Sequence, residues 1–184
     1  VMISSVVIFL MLLPPVVLAQ DEAYKTQIVL PEIRVHDTQG RELRLHEVLK
    51  NKVVIVNFVF TSCATICPML SGIMQTLENH FQSRLGHDIE LISLTVDPQR
   101  DTSDKLREYA EKLGAGPHWH WLTGNVADMV RLLKALGVST GRPEDHPPMM
   151  LVGKTDSNQW YRWVGIPKPE TMIRTVDRLV VNDQ

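Results

Sequence analysis

Only two cysteines occur in the 184 residues, Cys63 and Cys67, and that scarcity excludes two structural uses at once. A small scaffold stapled by several disulfides needs more of them, and a structural zinc site normally takes four ligands, often with a second cysteine pair. Charge of one sign is also missing: 19 basic and 21 acidic residues leave a formal net charge of −2, with no basic patch to receive nucleic acid. No internal repeat or low-complexity tract is present. No charge at all falls between Val1 and Ala19, and no lysine or arginine precedes the apolar run Val6 to Leu13.

That uncharged opening reads as an export signal with a small-residue cleavage site after Ala19, and the alternative is a retained membrane anchor. Pro14-Pro15 would break a spanning helix, which favours cleavage. No cysteine follows the apolar run to carry a lipid. On either reading the remainder, 20–184, is expected to fold as one domain in an oxidising compartment. There a cysteine pair needs a reductant or a metal to stay out of a disulfide.

Hydrophobic periodicity then places the pair. Leu30 to Leu49 reads as an irregular lead-in with a hairpin turning at Gln39-Gly40 and a helical turn at His46 to Leu49. Val53 to Phe60 is continuously apolar, as a central parallel strand is. Met69, Ile73, Leu77 and Phe81 mark one face of a helix starting near Pro68 and ending near Gly86. A second buried strand, Ile89 to Val96, leads through Asp97-Pro98 to a helix capped within Asp101 to Ser103 and closed by Gly114. Trp119 to Leu122 reads as a short strand, and Asn125 caps a helix ended by Gly137. Met149 to Val152 and Gln159 to Val164 form a hairpin, and Pro169 starts a last helix. Strand-helix units followed by a hairpin and a closing helix predict a thioredoxin-like α/β fold, a central mixed sheet with helices on both faces.

In that fold Cys63 and Cys67 sit at the C-terminal edge of the sheet beside a helix N-terminus, whose partial positive charge favours thiolate over thiol. Three intervening residues put both sulfurs on nearly one face of a turn, able to share one metal ion or one disulfide. A permanent staple is the plainer alternative, yet a bridge over so short a loop constrains the unfolded chain little. His146, in the loop Gly141 to Pro148, is the best candidate for a third ligand. Two thiolates and an imidazole accept both Cu(I) and Cu(II). Asp97 and Asp101 approach the same sheet edge and could lend an oxygen ligand or a docking charge, or simply make a turn and cap a helix. His118 and His120 share one strand face and read as surface residues, and Met69 and Met149 could bring a thioether or merely fill the core.

Two long segments in the right order, Thr61-Ser62-Cys63-Ala64-Thr65-Ile66-Cys67-Pro68 and Leu91 through Val96-Asp97-Pro98-Gln99-Arg100-Asp101-Thr102, resemble the Sco/SenC family. The resemblance runs from about Gln27 to Leu179. It implies a thioredoxin-like domain on the outer, periplasmic side of a bacterial inner membrane, binding copper through Cys63, Cys67 and His146. Asp97 and Asp101 match the family's acidic motif. It further implies a metallochaperone that helps to assemble the binuclear copper centre of cytochrome c oxidase. The partners implied are the copper-bearing oxidase subunit and a copper donor or a thiol reductant. One departure is local: His146 meets Pro147-Pro148 where the family has a small polar residue and slightly more chain. Either proline could then stand where thioredoxin-like proteins carry a cis proline, which suits disulfide exchange. A thiol-disulfide oxidoreductase built on the same sulfurs therefore remains the alternative to the chaperone, and a peroxidase a weaker third.

Overall fold

A computed structural model describes residues 23–138 and 141–181, and the expected leader at 1–19 lies outside the described residues. At its centre are two strands buried along their whole length, β4 (Val53–Val59) and β5 (Ile89–Thr95), paired parallel with Val53 opposite Ile89 and Val59 opposite Thr95. Continuous apolar runs can be buried on both faces only if something covers each face, and helices do so here. Around the central pair the six-stranded sheet runs β1 (Tyr24–Thr26), β8 (Gln159–Val164), β7 (Met149–Lys154), β4, β5, β6 (Trp119–Leu122). β6 lies parallel to β5, whereas β7, β8 and β1 are each antiparallel to their neighbours, so the sheet is mixed as expected.

On one face α2 (Ile66–Phe81), α3 (Ser103–Leu113) and α5 (Pro169–Val181) bring Leu70, Met74, Leu77, Leu106, Met172 and Val176 against Ile55, Val59 and Leu91. The other face is closed by α1 (Leu45–Leu49) and α4 (Val126–Ala135), which set Leu45, Leu49, Leu132 and Leu133 on Val54, Val56 and Ile92. A two-stranded hairpin of β2 (Arg34–His36) and β3 (Glu42–Arg44) leads into α1. The alternation of side chains along β4 is the physical link: Val54, Val56 and Phe58 join one layer, and Val53, Ile55 and Val59 the other.

Three boundaries depart from the sequence reading. The helix after the cysteines begins at Ile66, not near Pro68, so Cys67 and Pro68 lie inside its first turn. Proline is tolerated there because its missing N–H would be unpartnered in any case. The same helix ends at Phe81; Gly86, at φ 82°, instead donates its amide to the Ile89 carbonyl in the turn that leads into β5. β1 was not expected, since Tyr24–Thr26 has no apolar face; it is held by antiparallel pairing to β8.

Gly153 shows how tightly the sheet is dressed. It lies directly across from Trp160, and a Cβ at Gly153 would fall inside contact distance of the indole. Trp160 is fully buried against the layer made by α1 and α4 and cannot swing out. Gly153→Ala is therefore expected to cost about 1–3 kcal/mol, as overpacking of a filled core does. A denaturant midpoint indistinguishable from the native protein's would show that the ring can yield.

Candidate functional site

β4 runs out at Val59, and the chain turns at once: the Cys63 amide donates to the Phe60 carbonyl at 3.0 Å, and α2 begins at Ile66. Thr65 occupies the cap position of α2, but its hydroxyl makes no capping bond. The Cys63 sulfur takes that place, accepting from the Cys67 amide at 3.4 Å. The first amides of a helix have no partner within it, so a sulfur set over them meets converging N–H groups and the positive end of the dipole.

The two sulfurs consequently differ. Burial pushes the Cys63 thiol up, but bonds from the Cys67 side chain and from the amides of Cys67, Thr65 and Ile66 outweigh it, leaving Cys63 below its ordinary value. Burial pushes the Cys67 thiol up to about 12, reinforced by its hydrogen bond to Cys63 and by the negative charges of Cys63 and Asp101. Cys63 is the more acidic sulfur of the pair, and Cys67, fully buried, is the thiol that supports it. The spacing forecast this proximity without saying which sulfur would be acidic.

Across from Cys63 lies the loop that closes with a 3-10 turn, Pro143–Asp145. A cleft of about 240 Å³ is lined by Phe60, Cys63 and Thr65 on one side and Pro143, Glu144 and His146 on the other. The His146 ring is 6% exposed, edge-on to Phe60 at 6.2 Å between centroids. Its Nδ1 is 3.0 Å from the Pro147 carbonyl, which accepts only if Nδ1 carries the proton. Nε2 is then the free lone pair, and it is buried with no hydrogen-bond partner. Burial holds the imidazole below its ordinary value, against the opposing bond to Pro147. Such an orphaned acceptor is what a metal ligand looks like before it has a metal. Among the described residues no three histidine, cysteine or acidic side chains stand close enough to share an ion: Cys63 and His146 line one cleft without closing on each other, and Cys67 is fully buried and does not line it.

The other candidates lie elsewhere. Asp97 ends β5 in a turn, its carboxylate 3.3 Å from Arg100, and Asp101 is buried beneath the cysteine turn, bonded to Thr61 and Thr95. Neither lines the cleft. α3 is capped by Thr102, whose hydroxyl accepts from Lys105, so Asp101 is not the cap. Met149 is buried in the same cluster as both cysteines, while Met69 is exposed. His118 is exposed, and His120 rests on Glu90 at 3.1 Å. No cis peptide occurs among the described residues, so the prolines after His146 do not supply one. Two residues near the sulfurs carried no signal in the sequence: Phe60, packed on His146, and Tyr109, read only as part of a helix face. Burial and the charges of Cys67 and Cys63 push the Tyr109 hydroxyl up to about 12.

Compared with known proteins, residues 22–179 match the family described as SCO1/SenC. A protein of Bacillus subtilis described as a SCO1 protein homolog is 34% identical over 86 residues, 46% of this chain and 44% of that relative. The chain's match spans about half the length of the curated relatives. Among solved structures, Arabidopsis thaliana ScoI with copper bound superposes with a TM-score of 0.69 at 20% identity, covering 84% of this chain and 99% of that one. BsSco, described as carrying a disulfide switch and as a member of the Sco family of cytochrome c oxidase assembly proteins, superposes with a TM-score of 0.71 at 22% identity, covering 86% and 97%. These structural likenesses establish the fold.

Proposed function

The chain belongs to the SCO1/SenC family, and on that footing we propose that it is a copper metallochaperone serving assembly of the binuclear copper centre of cytochrome c oxidase. The observation that carries this reading is the orphaned Nε2 of His146, on a residue that lines one cleft with Cys63. Copper is the cargo. Soft sulfur suits Cu(I) and imidazole helps to hold Cu(II), so Cys63, Cys67 and His146 together can take either. Capture requires the His146 loop and the cysteine turn to draw together, and the same freedom lets the ion leave to a partner. The partner this implies is the copper-bearing oxidase subunit, with an upstream copper donor or thiol reductant. Relatives carrying copper and described as oxidase assembly proteins support the same assignment. The uncharged opening segment supports a domain on the periplasmic side, exported or held by an anchor at the inner membrane. Among the described residues no helix is long and apolar enough to cross a membrane.

A second reading rests on the asymmetry of the cysteines. A thiolate at Cys63 with a buried thiol behind it suits attack on a partner's disulfide followed by resolution through Cys67. His146 separates the two. In copper titrations of the reduced domain, the native protein is expected to hold one ion with a thiolate-to-Cu(II) absorption band, and His146→Ala to weaken retention by at least about tenfold, since losing a ligand costs no less than losing a ligand's outer-shell partner. Disulfide exchange with a small-molecule disulfide should change little in the same variant. Copper retained equally well by both proteins would remove His146 from the site, and none in either would leave the redox reading.

A further inference from the structure

We infer that Asp101 is a positioning residue for the cysteine pair: its buried carboxylate clasps the turn before Cys63 to the end of β5 and so decides which sulfur faces the cleft. The inference deepens the reading above and depends on it only for what the sulfurs then do. Asp101 is 2% exposed, 40 residues along the chain from the backbone it holds. The Thr61 amide donates to both carboxylate oxygens at 3.2 Å, and the Thr61 hydroxyl donates to Oδ1 at 2.6 Å. The Thr95 hydroxyl donates to Oδ2 at 2.6 Å while accepting from the Asp97 amide at 2.9 Å.

Three donors thus converge on one group, and only an acceptor with no proton of its own satisfies them all. The Asp97 amide takes one of the two lone pairs of the Thr95 hydroxyl, which leaves its single proton directed at Oδ2. An asparagine of the same shape offers one acceptor oxygen where the carboxylate offers two, so it cannot receive the Thr61 and Thr95 hydroxyl protons together. Charge-assisted bonds of this kind are the strong ones, and here they act on the residue two before Cys63. Thr61 is where the chain leaves β4, so fixing it sets the angle at which the turn delivers the Cys63 sulfur to the amides of α2. The clasp also joins the two sequence segments, one carrying the cysteines and one the acidic residues, into a single unit. Asp101 does this without touching the cleft.

The test measures which sulfur is accessible. Reduced native protein, Asp101→Asn and a control, Glu90→Gln, are treated with iodoacetamide, and peptide mass mapping gives the labelling rate at Cys63 and at Cys67. Glu90 lies at the other end of β5, so its variant reports general destabilisation. In the native protein Cys63 takes nearly all the label. In Asp101→Asn the Cys63:Cys67 ratio is expected to fall about tenfold, the equivalent of one charge-assisted bond, with unchanged circular dichroism. Glu90→Gln should leave the ratio alone. A ratio in Asp101→Asn within twofold of native, or an equal fall in Glu90→Gln, would overturn the assignment. Should Asp101→Asn not fold, Thr61→Val and Thr95→Val keep the carboxylate and remove one donor each, and the ratio should fall in both; no fall in either has the same overturning force. Copper retention, measured in parallel, judges the chaperone reading separately, because native protein holding no copper leaves the labelling ratio to decide the role of Asp101.

Discussion

Replacing Cys63 with serine is expected to slow alkylation of the reduced protein by at least about a hundredfold at pH 7, while Cys67→Ser leaves the fast reaction in place. The arithmetic starts from thiolate population. With its thiol pushed up to about 12, Cys67 is ionised to only ~10⁻⁵ at pH 7. Cys63, held below its ordinary 9.0, is ionised to more than about 1%, a gap of at least about a thousandfold. A more basic thiolate is intrinsically more nucleophilic, which returns about 20- to 30-fold to Cys67. Its complete burial removes that advantage again, since the reagent must reach the sulfur. The pH profile carries the same signature: reactivity at Cys63 rises with pH through a midpoint below the ordinary 9.0, because the converging amides favour the ionised form. Retention of more than a tenth of the native rate by Cys63→Ser would show that Cys67 is the attacking sulfur and that the asymmetry of the site is misassigned. For either function, copper capture or disulfide exchange, the consequence is an order of events in which Cys63 engages first.

How much of this was legible beforehand varies with the kind of physics involved. Val53 to Val59 and Ile89 to Thr95 announce themselves because burial on both faces demands a largely apolar run, and the helices of 103–113 and 126–135 carry their own caps in Thr102 and Asn125. Spacing alone brought Cys63 and Cys67 together, since a single turn of chain fixes it. What periodicity does not encode is a side chain's partner far along the chain. Asp101 looks like a helix cap from its neighbours, and only the fold reveals that Thr61 and Thr95 claim it. The direction of the His146 ring is of the same kind, decided by Phe60 and the Pro147 carbonyl and not by any local pattern. β1 escaped for the opposite reason, being a strand made by its neighbour's free edge and not by its own sequence.

At the opposite end of β5 from the cysteines, Glu90→Ala is expected to destabilise the fold by about 3 kcal/mol, the lower end of the cost of breaking a buried ion pair. Glu90 is 4% exposed within a fully buried strand, and its carboxylate meets the Lys52 ammonium and, at 3.1 Å, the His120 ring. Removing it leaves Lys52 with the Gly86 carbonyl at 3.2 Å and no counter-charge. Lys52 keeps a quarter of its side chain in water and can lean outward, which is why the lower figure applies. The pH dependence has a definite sign. Burial raises the Glu90 carboxyl, but His120 and Lys52 outweigh it and hold the group below its ordinary 4.5. A carboxyl depressed in the folded state contributes stability that is complete above 4.5 and is lost as pH falls through the folded value. Glu90→Gln should therefore flatten the acid limb of the stability curve, whose slope from one such group reaches about 1.4 kcal/mol per pH unit. Equal acid slopes for native and Glu90→Gln, or a loss under about 1 kcal/mol in Glu90→Ala, would mean that the cluster contributes nothing net. Five residues of extended chain, roughly 17 Å, separate Glu90 from Thr95 beneath the cysteine turn. Folded Glu90→Ala should therefore still label at Cys63 and still take up copper, because the clasp that orients the sulfurs is closed at the other end of the strand.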